Sequence, residues 1–285
     1  MSVRDETSPE SVAAMLETLD AEAFGIRVPS LLLTVNKRIF EEHQSQERPF
    51  PETKVIRSRV TESQTISAVV AALQPLHKDA ESFSTAFVAF YEVLIDLPLD
   101  TLGLYYRQAL QSLAAKPVTG VSGWGSLGRA AESLLLMIED PDAVWVPESK
   151  SDCIAERSLR ERATTPQLMR PHVQGLLAWL ADPNWPPYQG CWKQLARFPE
   201  VTVGPIGELL ERERGDGGWV LNILEFVDAC IPLQLWEELK LKIKAFTESS
   251  RGDEDEWEVA ERAGQLVQKY DDWNIQRLNH MAGAS

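Results

Sequence analysis

Four side chains in the C-terminal half of the sequence have the chemistry of a ligand-binding cleft. Asp182, Trp185 and Tyr188 lie within one short stretch, and Trp219 follows two consecutive glycines further along the chain. A carboxylate beside aromatic rings is a combination that orients small molecules in apolar clefts. The pattern therefore predicts candidate ligand-binding residues at Asp182, Trp185, Tyr188 and Trp219.

The same stretch also has a structural interpretation, which its prolines favour. An Asp or Asn side chain accepts hydrogen bonds from backbone N–H groups two residues on, as Asp182 and Asn184 are placed to do. Pro183, Pro186 and Pro187 fix φ and remove backbone donors. We therefore expect a rigid turn at the end of a helix, with its tryptophan packed as a large apolar plug between neighbouring helices.

The segment from Gly123 to Gly128 matches the G-x-G-x-x-G pattern that cradles a pyrophosphate at the start of a helix. That chemistry requires a buried strand before the glycines, and the sequence instead has a helical pattern that ends near Ala115. We therefore interpret residues 120–128 as a linker between two helices, in which Gly128 packs closely. Binding of a small anion at this helix start stays open.

Histidines and carboxylates offer little further chemistry. His77 and Glu81 are one helical turn apart, with Asp79 nearby, which is enough for an acid–base pair or half of a metal site. The remaining ligands would have to come from elsewhere, and the chain has four histidines in all. We predict no metal site and no cofactor, and we interpret His77 as a hydrogen-bonding residue on a helix. The sequence contains no H-E-x-x-H, Walker or nucleophile-elbow motif.

Composition excludes several classes of partner. The formal net charge is −15, whereas proteins bind nucleic acids and anionic lipids with clustered Lys and Arg. We therefore predict no nucleic-acid partner and no membrane partner. Cys153, Cys191 and Cys230 match no zinc or redox spacing, which is typical of a reducing compartment. The first residues lack an apolar signal core and no run of about 18 apolar residues occurs, so we expect a cytoplasmic protein.

Apolar residues recur with the period of an α-helix along nearly the whole chain. The segment 232–248, for example, places its apolar residues on one face and its charged residues on the other, so that this helix needs a neighbour. Residues 55–60 and 143–146 have the composition of strands but are too short and isolated to build a sheet. The sequence predicts an all-α protein of antiparallel helix pairs, stacked as a HEAT-like α-solenoid or helical array.

Composition shifts along the chain predict its domains. An N-terminal helical region covers residues 1–150 and contains a proline-bearing loop near residues 44–54. The charged segment 149–165 marks a boundary, and a C-terminal HEAT-like helical domain covers residues 167–272. Residues 273–285 are expected to form a tail.

The tryptophan-bearing stretch also carries a resemblance to a known family. The signature is leucine, tryptophan, aspartate, asparagine, tryptophan and proline, and Leu180, Asp182, Asn184, Trp185 and Pro186 match five of its members in order. On this signature, residues 167–272 resemble the domain of unknown function 5071 family, while the N-terminal half resembles no family that we recognise. The resemblance implies an all-helical, HEAT-like fold without an established chemistry.

One departure from the family pattern predicts open space. Asp216, Gly217 and Gly218 stand where the family carries a bulky aromatic run before its tryptophan, which is Trp219 in this chain. Two glycines leave the volume of those aromatic rings unfilled. We therefore expect an open pocket beside Trp219.

Two hypotheses about function follow. The first is a helical-repeat interaction module that offers an acidic concave surface to a protein partner, with Glu254 and Asp255 in an acidic, solvated helix start at residues 253–258. The alternative is a cofactor-independent isomerase, cyclase or hydrolase, which acts on a small molecule in an apolar pocket between the two helical halves. The aromatic run from Phe83 to Tyr106 motivates this alternative. The sequence leaves the substrate, the partner and the oligomeric state undetermined.

Overall fold

The structure is a computed structural model that describes residues 9–40, 50–74, 79–115 and 123–283. These residues fold into helices joined by turns, and no strand occurs among them. The all-α prediction is therefore confirmed. The chain divides into two compact units, and a HEAT-like stacking of the helices stays a prediction.

The N-terminal unit, Met1–Asp142, packs its helices around a core of aliphatic and aromatic side chains. Its helices are α1 (Pro9–Glu17), α2 (Ala21–Phe40), α3 (Pro51–Ser58), α4 (Ser63–Leu73), α5 (Ala80–Val88), α6 (Leu99–Thr101), α7 (Arg107–Ala114) and α8 (Trp124–Glu139). Helices α5 and α6 continue into the π-helical segments Ala89–Leu94 and Leu102–Tyr106, in which backbone hydrogen bonds span five residues.

Helix α2 starts earlier than its sequence predicts. The pattern predicts a first turn near Ser30, yet the helix runs through Pro29 from a start where Asp20 Oδ1 accepts a hydrogen bond from Ala23 N at 2.8 Å. A proline costs a helix one hydrogen bond and crowds the carbonyl four residues earlier. That residue is Gly25, which has no side chain of its own to add to the crowding. Packing of α2 against α4 and α5 compensates for the lost bond.

Helix α3 covers the end of the loop predicted near residues 44–54 and most of the short strand considered at residues 55–60. Residues 44–49 of that loop lie outside the described residues, and Pro51 provides the first turn of α3. No strand forms at residues 55–60, because Val55 and Ile56 lie in α3 with their side chains buried. β-Branched residues are enriched in strands, but burial against neighbouring helices overrides that preference.

The aromatic run of the N-terminal unit packs ring against ring. The Phe83 and Trp124 rings meet edge to face at 5.4 Å between centroids, and the Phe87 and Tyr91 centroids are 4.6 Å apart. Tyr106 is fully enclosed and donates its hydroxyl proton to a backbone carbonyl at 2.7 Å. Burial raises the pKa of this phenol. These rings therefore contribute to the core of the unit.

The C-terminal unit, Ala143–Ser285, is also helical throughout its ordered elements. Its helices are α9 (Cys153–Arg162), α10 (Pro166–Met169), α11 (Val173–Ala178), α12 (Tyr188–Ala196), α13 (Pro199–Arg212), α14 (Gly217–Cys230), α15 (Glu237–Glu248) and α16 (Val259–Gly283). Short 3₁₀ turns lie at Arg170–His172, Trp179–Ala181 and Leu233–Leu235. Helix α15 packs against both α13 and α16, and α16 also packs against α14.

This division differs from the predicted domains at both ends of the C-terminal unit. The charged segment 149–165, predicted as a boundary, lies within the unit and contains α9. Residues 143–146, considered as a strand, have no regular secondary structure. The predicted tail, residues 273–285, continues α16 as far as Gly283.

The turns that precede α14 and α16 interlock through two glycines with positive φ. Gly215 has a φ of 106° and Gly252 a φ of 54°. A Cβ on Gly252 would lie 2.1 Å from Gly215 O, so the two backbones are in direct contact. Only glycine combines this backbone conformation with such a close approach.

Glu254 closes the interlock as the acidic partner of a buried ion pair. Its side chain is 2% exposed, and Arg214 donates from Nε to Oε1 at 3.0 Å and from Nη2 to Oε2 at 3.2 Å. Gly215 N and Arg251 N donate to the same carboxylate at 2.8 and 2.9 Å. The interpretation of Glu254 as part of a solvated helix start is therefore wrong, and α16 begins only at Val259.

We predict that Glu254→Gln lowers the free energy of unfolding by about 3 kcal/mol, because a buried guanidinium and two backbone donors lose a charged acceptor. The exposed neighbour provides a matched control, Asp255→Asn, which should change stability by less than about 0.5 kcal/mol. Urea unfolding followed by tryptophan fluorescence measures both variants. Equal stability of the two would show that the ion pair does not hold the turns together.

Candidate functional site

Asp182 and Trp185 share a turn that the Asp182 side chain organises. Asp182 Oδ1 accepts hydrogen bonds from Asn184 N at 2.8 Å and from Asn184 Nδ2 at 3.0 Å. Trp185 N donates to Asp182 O at 3.1 Å, and Tyr188 N donates to Trp185 O at 2.9 Å, so α12 starts directly after the turn. The predicted hydrogen bond from a backbone N–H two residues on is confirmed.

The Trp185 indole is half-buried and contacts a second indole and a lysine. Its ring meets the Trp179 ring edge to face at 5.4 Å, and Lys150 Nζ lies 4.7 Å from its centroid. Trp179 in turn donates from Nε1 to Pro147 O at 2.9 Å. The segment that precedes α9 is therefore tied to the turn by a cation over one ring and a hydrogen bond from the other.

Trp219 supports the backbone that leads into this turn. It lies in the first turn of α14, where its N–H donates to Asp216 Oδ1 at 3.0 Å, and its Nε1 donates to Leu177 O at 3.3 Å. Asn222 Nδ2 donates to Ala181 O at 3.2 Å. The last carbonyls of a helix have no partner within that helix. Helix α14 therefore supplies donors to the chain just before the Asp182 turn.

Tyr188 belongs to an aromatic cluster inside the C-terminal unit. Its ring centroid is 5.6 Å from that of Trp192, which meets Phe226 edge to face at 4.9 Å. Burial raises the pKa of Tyr188, and the nearby Glu225 and Cys230 raise it further. The buried ring thus contributes to packing between α12 and α14.

The structure gives the four predicted ligand-binding residues separate surroundings. Asp182 and Trp185 meet in one turn. Tyr188 lies in the interior cluster, and Trp219 supports a neighbouring helix. Ligand binding by these residues stays a prediction.

The open pocket predicted beside Trp219 is filled by the chain itself. A Cβ on Gly217 would lie 2.8 Å from both Asp253 O and Trp257 Cδ1, and a Cβ on Gly218 would lie 3.3 Å from the Trp257 ring. Gly217 N also donates to Asp253 Oδ1 at 2.6 Å. The prediction is wrong, because the turn that precedes α16 occupies the space above the two glycines.

The G-x-G-x-x-G segment lies mostly within a helix. Residues 120–122 of the predicted linker lie outside the described residues, and helix α8 begins at Trp124, so the segment forms helical turns from there rather than a phosphate-binding loop. A Cβ on Gly123 would lie 2.1 Å from the Phe83 ring, and a Cβ on Gly128 would contact Leu113 O at 3.5 Å. Close packing against neighbouring helices accounts for glycine at both positions.

The structure describes only part of the cluster predicted at His77, Asp79 and Glu81. His77 lies outside the described residues, and Glu81 is exposed in the first turn of α5. Within the described ranges, no three His, Cys, Asp or Glu side chains are placed to hold a metal ion. No helix in the same ranges is long and apolar enough to span a bilayer.

Sequence reasoning missed Glu156, a half-buried carboxyl on α9 that faces α12. Its Oε2 lies 1.9 Å from the position of a Cβ built on Gly190, so a larger residue there would displace the carboxyl. Burial raises the pKa of Glu156 to about 7, while Arg160 lowers it and Asp152 raises it to smaller extents. Burial also raises the pKa of the Cys191 thiol to about 12, and the Glu156 charge adds to that shift. Glu156 is therefore a carboxyl that exchanges its proton near neutral pH.

Sequence reasoning also missed the last turns of α16, where three large aliphatic side chains are exposed. Ile275, Leu278 and Met281 are 57, 53 and 66% exposed. Earlier in the same helix, Leu266 and Tyr270 are buried. Helix α16 thus carries apolar residues beyond the core against which it packs.

A groove of about 650 Å³ lies beside these turns. Trp273 and Met281 provide its apolar lining, and Gln234 lines it from the 3₁₀ turn before α15. Arg277 and His280 are the ionisable side chains of the described lining. The groove therefore joins an apolar surface to basic groups.

We predict that Glu156→Gln stabilises the protein above neutral pH. The pKa of Glu156 is higher in the folded protein than its ordinary value of 4.5. The folded protein therefore gains stability from the bound proton at low pH, and this stability is lost as the pH rises from 4.5 through about 7. At pH 8 the uncharged variant should exceed the wild type by on the order of 1 kcal/mol, and the difference should shrink as pH falls toward about 5.

Urea unfolding across this pH range measures the effect. The exposed Glu148 provides the control, since Glu148→Gln should show no comparable dependence on pH. If Glu156→Gln had the same effect at pH values of about 5 and 8, burial would not be raising the pKa of this carboxyl.

Comparison with known proteins identifies one related family. The family model described as Domain of unknown function (DUF5071) matches residues 145–267, and none matches the N-terminal half. A search of curated proteins and a search of solved structures each found no match. The match begins before the predicted residue 167 and takes in the whole of α9. From residue 145 to residue 267, the chain is therefore similar to the DUF5071 family, as its sequence predicts.

Proposed function

We propose that this protein is a non-catalytic interaction module that binds a protein partner through the last turns of α16. The observation that carries the proposal is the exposure of Ile275, Leu278 and Met281. Residues three apart on a helix are neighbours, so these side chains form a continuous apolar face. Such a face favours contact with another apolar surface over contact with water.

The energy available from this face is substantial but insufficient alone. Full burial of one Leu, Ile or Met side chain contributes roughly 1.5–3 kcal/mol, and these three are a little over half exposed, so together they contribute about 3–5 kcal/mol. A micromolar complex requires about 8 kcal/mol. A partner must therefore also contact neighbouring polar groups. An amphipathic helix with anchors three and four residues apart has the matching shape.

The proposal keeps the interaction role predicted from the sequence and assigns it another surface. Glu254, which the sequence places at the centre of an acidic face, is enclosed by Arg214 and backbone donors. Its neighbour Asp255 is exposed. A HEAT-like arrangement of the helices stays part of the proposal.

A second candidate function is a cofactor-independent enzyme that acts on a small molecule. The observation that favours it is the half-buried position of the Glu156 carboxyl against Gly190, because burial raises its pKa to about 7, which suits proton transfer at neutral pH. Mass spectrometry of a metabolite mixture incubated with the protein tests this function. Conversion of a metabolite by the wild type and by Glu156→Gln at equal rates would exclude this carboxyl as the acid–base group.

We predict that Leu278→Asp abolishes binding of a protein partner that the immobilised wild-type chain retains, because the substitution would place a charge in the apolar contact. The matched control is Leu241→Asp, which changes a leucine that is 76% exposed on α15. Quantitative mass spectrometry should find a protein retained by the wild type and by Leu241→Asp, but reduced at least about tenfold by Leu278→Asp. Equal retention by all three proteins would contradict the proposal, provided that their thermal unfolding is the same.

A further inference from the structure

The groove beside Trp273 differs in charge from the chain that contains it. The chain carries 43 Asp and Glu against 28 Lys and Arg. The described residues that line the groove include Arg277 and His280 and no Asp or Glu. Residues 273–283, which form most of its lining, also contain no acidic residue. The described lining therefore carries basic groups and no acidic one, on an acidic protein in which Asp271 and Asp272 directly precede this stretch.

Two contacts orient Arg277 beside the groove. Its guanidinium carbon lies 4.9 Å from the Trp273 ring centroid, and its Nη2 donates to Asn274 Oδ1 at 3.1 Å. A guanidinium has five N–H donors in a planar fork, and this hydrogen bond uses one of them. The remaining donors have the geometry that binds both oxygens of a carboxylate.

The rest of the groove offers contacts for a peptide. Trp273 and Met281 provide apolar surface for a side chain. Gln234, Gln276 and Asn279 each carry an amide with donors and an acceptor, which complements the N–H and C=O groups of a peptide backbone. The groove thus combines a carboxylate-binding group, an apolar surface and amides at one end of α16.

We infer that this groove binds an acidic peptide segment of the partner, with a carboxylate on Arg277 and an apolar side chain against Trp273. The inference rests on the proposed function and adds the chemistry of the partner to it. Nucleic acids and anionic lipids also carry groups that pair with arginine, but they extend over a large area of a chain whose net charge is −15. A short peptide, by contrast, places its negative charge only in the groove and avoids the acidic surface around it.

Fluorescence anisotropy on the full chain tests this inference with two labelled peptides. The first has the sequence Glu-Leu-Glu-Glu-Leu-Glu, and the second replaces each Glu by Lys. For the wild type, we expect the dissociation constant of the acidic peptide to be about tenfold lower than that of the basic peptide, or lower still. Arg277→Glu should weaken binding of the acidic peptide by a similar factor. The charge-matched control, Arg129→Glu, changes an exposed arginine of the N-terminal unit and should bind as the wild type does.

Three results would overturn the inference: no binding of the acidic peptide, equal binding of the two peptides, or equal binding of the acidic peptide to Arg277→Glu and the wild type. Circular dichroism verifies that each variant is folded. Retention of the captured partner separates the two proposals. A partner lost from Leu278→Asp but kept by Arg277→Glu supports the proposed function and excludes the acidic-peptide groove, whereas a partner kept by both variants excludes both.

Discussion

The buried ion pair between Arg214 and Glu254 joins the two turns from which α14 and α16 start. Burying a carboxylate is costly unless its oxygens are fully paired, and here a guanidinium and two backbone N–H groups satisfy them. Gly215 and Gly252 make the close approach of the two turns possible. The start of α16 is therefore fixed, and the position of its exposed last turns depends on that constraint.

Tryptophan acts in the C-terminal unit as a hydrogen-bond donor as well as an apolar residue. Nε1 of Trp179, of Trp219 and of Trp236 each donates to a backbone carbonyl. Because an indole has a single donor, such a bond fixes the orientation of the ring while its faces pack. A tryptophan-rich stretch therefore has the composition of a ligand-binding motif even where its polar atoms are used within the protein.

The similarity to the DUF5071 family ends at residue 267, whereas α16 continues to Gly283. The exposed side chains of Ile275 and Leu278 and the basic groove all lie in this continuation. The sequence predicts a tail here, because these turns lack the buried stripe by which a core helix is recognised. The part of the chain that is similar to the family thus supports α16, and the proposed binding surface lies beyond that part.

The sequence by itself determined the all-α class and most helix positions, because helical periodicity and end capping act within a few residues. It also determined the Asp182 turn, whose hydrogen bonds span two residues. It did not determine the surroundings of Glu254 or Glu156, whose contacts with Arg214 and Gly190 join distant parts of the chain. Only the tertiary structure decided whether these carboxyls are solvated, paired or protonated, since that depends on which backbone and which charges are packed against them.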